Sequence, residues 1–129
     1  MVWHNLVYAL SFGLRREDVQ LSDLMKECVR GALEKCAEGR QWTIHELHVD
    51  NDHVVMVVQA DPGTSVESMA HLLKDMSDKS MKEQFSELRD LFPDVCLWAD
   101  EYAVETVGEL EPESMQEYLD AVDDEDTLS

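Results

Sequence analysis

The chain has 129 residues and a formal net charge of −19, because 29 aspartate and glutamate residues face only 10 lysine and arginine residues. This length suits one domain with a single core and excludes two. The excess of acid argues against nucleic-acid binding in dilute salt, since phosphate affinity normally comes from lysine and arginine displacing counterions. We expect residues 1–122 to form the domain and residues 123–129 to form an acidic, disordered tail.

The acidic residues are dispersed along the chain, and only residues 123–126 form a block. Dispersed acid with few lysines favours a protein adapted to a salt-rich cytoplasm, where a Debye length of about 3 Å at 1 M screens self-repulsion. In such salt the counterion contribution to DNA binding is small for every protein. At high salt the negative net charge therefore does not exclude DNA binding. An acidic surface that binds a partner is the less favoured alternative.

Cysteine spacing and hydropathy indicate where the protein works. Cys28, Cys36 and Cys96 show no CxxC spacing, and the first two lie on the apolar stripe of a predicted helix. This pattern favours reduced thiols in the core over a disulfide or a zinc site. No apolar run approaches about 18 residues, and no signal peptide precedes the first strand. We therefore expect a soluble protein of the cytoplasm, without a membrane partner.

The first half of the chain reads as strand, helix and hairpin. Alternating apolar residues predict a strand over residues 6–12. Ser22 is a suitable N-cap for a helix whose apolar residues recur every three or four positions, and Gly39 is expected to end it. Two further strands, at residues 42–49 and 53–60, are joined by a two-residue turn.

The second half predicts helix, strand and a last helix. Ser65 begins a helix whose inward positions are Met69, Leu72, Leu73 and Met76. Ser80-x-x-Glu83 has the pattern of a capping box and predicts a separate short helix after it. Residues 95–107 read as a long fourth strand, and Pro112 suits the first turn of a C-terminal helix. The order indicates an α+β protein with a ferredoxin-like β-α-β-β-α-β antiparallel sheet and an extra C-terminal helix.

The hairpin register decides which side chains share a face. A two-residue turn places His48 opposite Val55 and Glu46 opposite Val57. One face is then apolar, and His45 is expected to point toward it without a role. The other face carries four potential metal ligands, namely Glu46, His48, Asp50 and His53.

Several short motifs follow one another in a fixed order along the chain. They are Tyr8-Ala9-Leu10-Ser11-Phe12, Arg15-Arg16, Asp52-His53 before an apolar strand, Asp61-Pro62-Gly63-Thr64-Ser65, Leu72-Leu73-Lys74, Phe92-Pro93, Trp98, Glu101-Tyr102-Ala103-Val104-Glu105-Thr106-Val107-Gly108 and Met115-Gln116-Glu117-Tyr118-Leu119. In order and spacing they resemble the small single-domain tyrosine transposases of the HUH endonuclease superfamily, which move insertion sequences as single-stranded DNA. The resemblance covers nearly the whole chain.

The resemblance implies roles for a few residues. In that family, two imidazoles of a His-hydrophobe-His strand and a glutamine on the last helix bind a divalent metal ion, and a tyrosine on that helix attacks the DNA phosphate. Tyr118 matches the nucleophile and His53 the first metal ligand, whereas Val55 and Val122 occupy the places of the other two. Valine cannot coordinate a metal, and one neutral imidazole is a weak site for Mg²⁺ or Mn²⁺. The resemblance therefore implies a transposase-like protein with impaired or lost catalysis.

Alternatives remain open at this point. His48, opposite Val55, is a possible substitute ligand in a rebuilt metal site, and Tyr118 by pattern alone is a core aromatic residue. The resemblance also implies a single-stranded DNA hairpin as partner and a homodimer. The expected phosphate contacts are Arg15, Arg16, Lys74 and Lys79. The alternative function is a non-catalytic DNA-binding or dimerisation module of transposase ancestry.

Overall fold

The computed structural model of this protein describes residues 6–109. Its elements are β1 (Leu6–Gly13), α1 (Asp23–Arg40), β2 (Thr43–Val49), β3 (His53–Ala60), α2 (Val66–Gln84), α3 (Ser86–Leu91) and β4 (Ala103–Glu109). The strands form one antiparallel sheet in the order β2-β3-β1-β4. The predicted α+β class is confirmed, and this order is compatible with the ferredoxin-like arrangement. The predicted C-terminal helix, with Tyr118 and Val122, and the predicted tail lie outside the described residues.

The main core lies between one face of the sheet and the inner stripes of α1 and α2. Alternation along β1 and β3 sends every second side chain to this face, and the cross-strand partners Leu10 and Met56 are both buried there. The helix residues that complete this core include Met25, Val29, Leu33, Met69, Ala70 and Leu73. The polar side chains of the β2–β3 hairpin therefore project from the opposite face.

The first helix begins where the sequence predicts, but the residue that terminates it is Gln41 and not Gly39. The Ser22 hydroxyl accepts a hydrogen bond from the backbone N–H of Met25 at 3.2 Å, which confirms the N-cap. Gly39 lies within the helix, and Gln41 is the left-handed residue, with φ of 63°. The backbone N–H of Trp42 then bonds to the carbonyl of Ala37 at 2.9 Å, which satisfies a carbonyl of the last turn.

The second helix runs without a break from Val66 to Gln84, so the capping box predicted at Ser80 is wrong. The predicted N-cap at Ser65 is confirmed, since its hydroxyl accepts from the backbone N–H of Ser68 at 3.1 Å. The buried positions of the helix are Met69, Ala70, Leu73, Ser77, Asp78 and Met81. This stripe continues past Ser80 and keeps the helix intact. Met76, predicted to face inward, is 45% exposed because Ser77 takes the inward position.

The fourth strand begins at Ala103, eight residues later than predicted. The preceding segment is irregular, and its consecutive residues Leu97 and Trp98 are both fully buried. A strand sends consecutive side chains to opposite faces, whereas both of these lie in the main core, so this apolar run is not a strand and the prediction is wrong here. The segment is held instead by β1, because the backbone N–H of Ala99 bonds to the carbonyl of Gly13 at 2.8 Å.

All three cysteines lie in the main core or pack against it. Cys28, Cys36 and Cys96 are free, and burial raises the pKa of each thiol above its ordinary value. A raised pKa makes each thiol a weaker nucleophile at neutral pH. Within residues 6–109, no helix has the length and apolar character needed to cross a membrane.

Candidate functional site

The β2–β3 hairpin forms the centre of the candidate site, and its predicted register is confirmed. His48 pairs with Val55, and Glu46 pairs with Val57. The turn closes with a hydrogen bond of 2.8 Å from the backbone N–H of Asp50 to the carbonyl of His53. His48, Val55 and His53 therefore share the sheet face opposite the main core, because their apolar neighbours point inward.

A β-bulge changes the place of one histidine. The pairing of β2 with β3 shifts between Ile44 and Glu46, so His45 is the extra residue of the strand. Its Nε2 lies 2.7 Å from Oε1 of Gln59, a residue of the polar face. The expectation that His45 points to the apolar side is therefore wrong. Simple alternation cannot reveal a bulge, since one extra residue reverses the direction of the side chain.

His53 stands at the start of β3 between two carboxylates. Its Nδ1 lies 2.7 Å from Oδ1 of Asp52, and its Nε2 lies 3.6 Å from Oδ2 of Asp50. The turn that carries these residues is anchored from outside the hairpin, because the backbone N–H of Leu14 bonds to the carbonyl of Asp52 at 2.9 Å. Both ring nitrogens of His53 thus face acidic side chains of its own hairpin.

The donors of this face do not fit the divalent metal of the resembled family. His48 is engaged locally, with Nε2 2.6 Å from Oε1 of Glu46, and Val55 lies opposite it. Across residues 6–109, no group of three histidine, cysteine, aspartate or glutamate side chains is placed to hold a metal ion. Residues 6–109 therefore offer no complete set of metal ligands for a site rebuilt around His48. Val122, the other position where the family has a ligand, lies outside the described residues.

Apolar residues that the sequence did not single out lie beside this hairpin. Val7 of β1 and Val57 of β3 are fully buried in a small cluster of their own, separate from the main core. Ala9 and Val107 pack against them. His53, Val55 and Val57 lie in this order on the same face of β3. The polar start of the strand is therefore followed directly by aliphatic side chains.

Two of the four cations predicted to contact DNA converge on one residue. Arg15 Nη2 pairs with Oδ1 of Asp100 at 2.7 Å, while its Nε bonds to the carbonyl of Cys96 at 2.8 Å. Lys74 Nζ bonds to the carbonyl of Asp100 at 3.1 Å and lies 5.8 Å from the ring centroid of Tyr102. The Arg15 hydrogen bond holds the pKa of the Asp100 carboxyl below its ordinary value.

The other two cations lie apart from this pair. Arg16 holds Asp18 through two hydrogen bonds of 3.0 and 2.6 Å, which lower the pKa of that carboxyl. Lys79 pairs with Asp75 one turn earlier on α2 at 3.2 Å. The described structure thus places Arg15 and Lys74 together, and the DNA-binding role of all four residues stays a prediction.

A surface recess that no sequence pattern indicates surrounds Lys74. It has a volume of about 380 Å³ and lies between α2 and the segment before β4. Its lining residues are Glu67, Ser68, His71, Lys74, Asp100 and Tyr102. The residues come from two distant parts of the chain, so only the fold brings them together.

Comparison with known proteins agrees with the fold and the resemblance. Residues 3–121 match the family described as Transposase IS200 like. A protein of Deinococcus radiodurans R1 described as a transposase has a similar structure, with a TM-score of 0.74, 20% identity, and coverage of 95% of this chain and 92% of that one. A tyrosine transposase bound to a REP hairpin is also similar, with a TM-score of 0.64, 13% identity, and coverage of 93% and 66%. No curated protein matches the chain.

Proposed function

Because the chain belongs to the IS200-like transposase family, we propose that it is a protein of single-stranded DNA transposition that binds a DNA hairpin and whose strand cleavage is impaired or lost. The family match supports the transposase role. The hairpin partner is supported by the similar tyrosine transposase that is bound to a REP hairpin. The homodimer and the cytoplasmic location expected from the sequence remain part of this proposal.

The observation that carries the loss of cleavage is the position of Val55. It lies on the same face as His53 and opposite His48, where a second imidazole would complete a ligand pair. A phosphodiester attacked by a tyrosine develops negative charge that needs a strong electrostatic partner. His53 alone, with carboxylates at both ring nitrogens, is a poor partner. Attack by Tyr118 on DNA is therefore expected to be very slow, and hairpin binding without cleavage is the activity that we expect to remain.

The test restores the two missing metal ligands and measures whether metal binding and covalent attachment of DNA return. We expect Val55→His with Val122→Gln to bind Mn²⁺ in calorimetry and to attach hairpin-bearing single-stranded DNA covalently. Attachment should disappear when Tyr118→Phe is added. Val55→Ala with Val122→Gln is the matched control, because it alters the same two positions but leaves position 55 without an imidazole, and it should neither bind Mn²⁺ nor attach DNA. Metal-dependent covalent attachment of DNA to the unaltered protein through Tyr118 would contradict the proposal.

Hairpin binding is measured separately from cleavage. Fluorescence anisotropy of a labelled hairpin, from about 0.1 M to about 2 M KCl, follows binding as the electrostatic contribution is screened. We expect binding that persists at the high end, since stacking and hydrogen bonds carry it there. Absence of binding to every hairpin over this whole range would refute the DNA-binding half of the proposal.

A further inference from the structure

The recess around Lys74 combines an aromatic ring, an ammonium group, an imidazole and a carboxylate. Tyr102 supplies a half-buried aromatic ring, and Lys74 lies 5.8 Å from its centroid. His71 is an exposed imidazole on the same side of α2, one turn before Lys74. Asp100 presents an exposed carboxylate at the opposite wall, with a side chain 87% exposed. A second, smaller hollow of about 200 Å³ shares His71, Lys74 and Asp100, so the recess extends along α2.

These groups match the parts of a nucleotide. Bases stack on aromatic rings regardless of sequence, and a phosphate is held by lysine as a point charge. A carboxylate accepts a hydrogen bond from an exocyclic amino group, as acidic side chains do with cytosine. The recess volume of about 380 Å³ is large enough for one base with its sugar, and lies at the lower end of small-molecule sites.

The charge state of the recess favours base contacts over phosphate contacts. The hydrogen bond from Arg15 holds the pKa of Asp100 below its ordinary value, so its carboxylate is an acceptor at neutral pH. Glu67 adds a second carboxylate to the lining, which opposes the attraction of Lys74 for a phosphate. At about 1 M salt these charges are screened within about 3 Å, and stacking and hydrogen bonds remain.

We propose that this recess binds one unpaired base of a DNA strand, stacked on Tyr102, with its phosphate near Lys74 and its exocyclic amino group bonded to Asp100. The site selects adenine, cytosine or guanine over thymine, because thymine has no exocyclic amino group to donate. It rests on the proposed function only in taking DNA as the source of the base. No residue of the β2–β3 hairpin lines the recess, and binding there requires neither metal nor cleavage.

The direct test uses pentanucleotides that cannot form a hairpin. The strands dTTXTT, with X as each of the four bases, are titrated into the protein in about 1 M KCl while the ring resonances of Tyr102 are followed by NMR. We expect the amino-bearing bases to shift these resonances and to bind about tenfold more tightly than thymine, as one charged hydrogen bond allows. Equal affinity for all four strands, or shifts that spare Tyr102, would overturn the proposal.

Variants separate stacking from general charge. Tyr102→Leu should weaken binding of the adenine strand at least about fivefold, which is the smallest loss of affinity expected when one base–ring stacking contact is removed. Tyr102→Phe keeps the aromatic ring and should keep the affinity. Lys74→Ala should weaken all four strands alike, and Lys35→Ala, which removes an exposed lysine of α1, should change none. Asp100→Asn should abolish the preference against thymine. Binding unaffected by Tyr102→Leu in a protein that remains folded by NMR would contradict the proposal.

A pair of hairpins distinguishes this inference from the proposed function. One hairpin carries a single unpaired adenine beside its stem, and the other has no unpaired base. If both bind equally and the pentanucleotides show no preference, the recess is not a base site, yet hairpin binding stands. If the pentanucleotides bind with the expected preference and neither hairpin binds, the recess is a base site and the hairpin proposal fails.

Discussion

At the scale of single residues, one buried hydroxyl connects α2 to the irregular segment before β4. Ser77 is fully buried, and its Oγ accepts a hydrogen bond of 2.8 Å from Nε1 of Trp98 while donating to the carbonyl of Leu73 at 2.7 Å. Trp98 in turn packs edge-on against Phe12 of β1, with ring centroids 4.9 Å apart. The hydroxyl thus satisfies a buried indole N–H that no water can reach, which fixes the ring between helix and sheet.

This contact makes a testable prediction about stability. Ser77→Ala should lower the free energy of unfolding by about 1–3 kcal/mol, because the buried indole N–H of Trp98 would lose its acceptor. Urea denaturation followed by circular dichroism measures the change. Ser68→Ala, at an exposed position of the same helix, is the matched control and should change stability by less than about 0.5 kcal/mol. A loss of similar size in both variants, or no loss in Ser77→Ala, would show that the hydrogen bond to Trp98 does not account for the effect.

At the scale of elements, local sequence rules predicted the parts of the fold that local physics decides. The hairpin register followed from the turn length and from matching apolar residues, and the caps Ser22 and Ser65 followed from hydroxyl chemistry. The errors arose where tertiary contacts outweigh local preference. Ser80 has a capping sequence but lies in a helix whose buried stripe continues. Trp98 lies in an apolar run that makes only an isolated bridge to Leu14, and its buried indole is fixed by the hydrogen bond to Ser77.

The candidate site was predictable to a similar extent. The shared face of His53 and Val55 could be derived from alternation, whereas the position of His45 could not, because a bulge leaves no mark in the hydrophobic pattern. The recess around Lys74 was beyond sequence reasoning for another reason. Tyr102 and Lys74 are distant in sequence, and their meeting depends on how the segment before β4 returns across α2.

The two capping sequences of α2 offer a matched pair for experiment. Ser65→Ala should cost about 1 kcal/mol of stability, since the hydroxyl satisfies a free N–H at the true start of the helix. Glu83→Ala should cost less than about 0.5 kcal/mol, because this exposed residue lies near the end of α2 and caps nothing. Thermal or urea unfolding of both variants gives the comparison. A larger loss from Glu83→Ala than from Ser65→Ala would show that a helix does begin at Ser80.

At the scale of the whole molecule, the charge exceeds what ion pairing can neutralise. Even if each of the 10 cations paired with one acid, 19 of the 29 carboxylates would have no cationic partner. Most of the described pairs join close neighbours in sequence, such as the exposed pairs of Arg16 with Asp18 and Lys79 with Asp75, whereas the pair of Arg15 with Asp100 joins distant segments. Exposed pairs of this kind contribute about 0–1 kcal/mol each, so they do not offset the repulsion of the remaining acid. Net repulsion therefore opposes the compact state in dilute buffer.

Salt should consequently stabilise this protein. Because the Debye length shortens from about 10 Å at 0.1 M to about 3 Å at 1 M, the repulsion among carboxylates is screened. We expect the Tm to rise by about 5 °C or more between about 0.1 M and about 2 M KCl, which corresponds to roughly 1 kcal/mol for a domain of this size. Calorimetric melts in KCl, compared with melts in sucrose of equal osmolality, separate screening from the general effect of excluded solutes. A Tm that stays flat or falls with KCl, or that rises equally in sucrose, would show that the excess charge is not what limits stability, and the acidic surface would then be better explained as one that binds a partner.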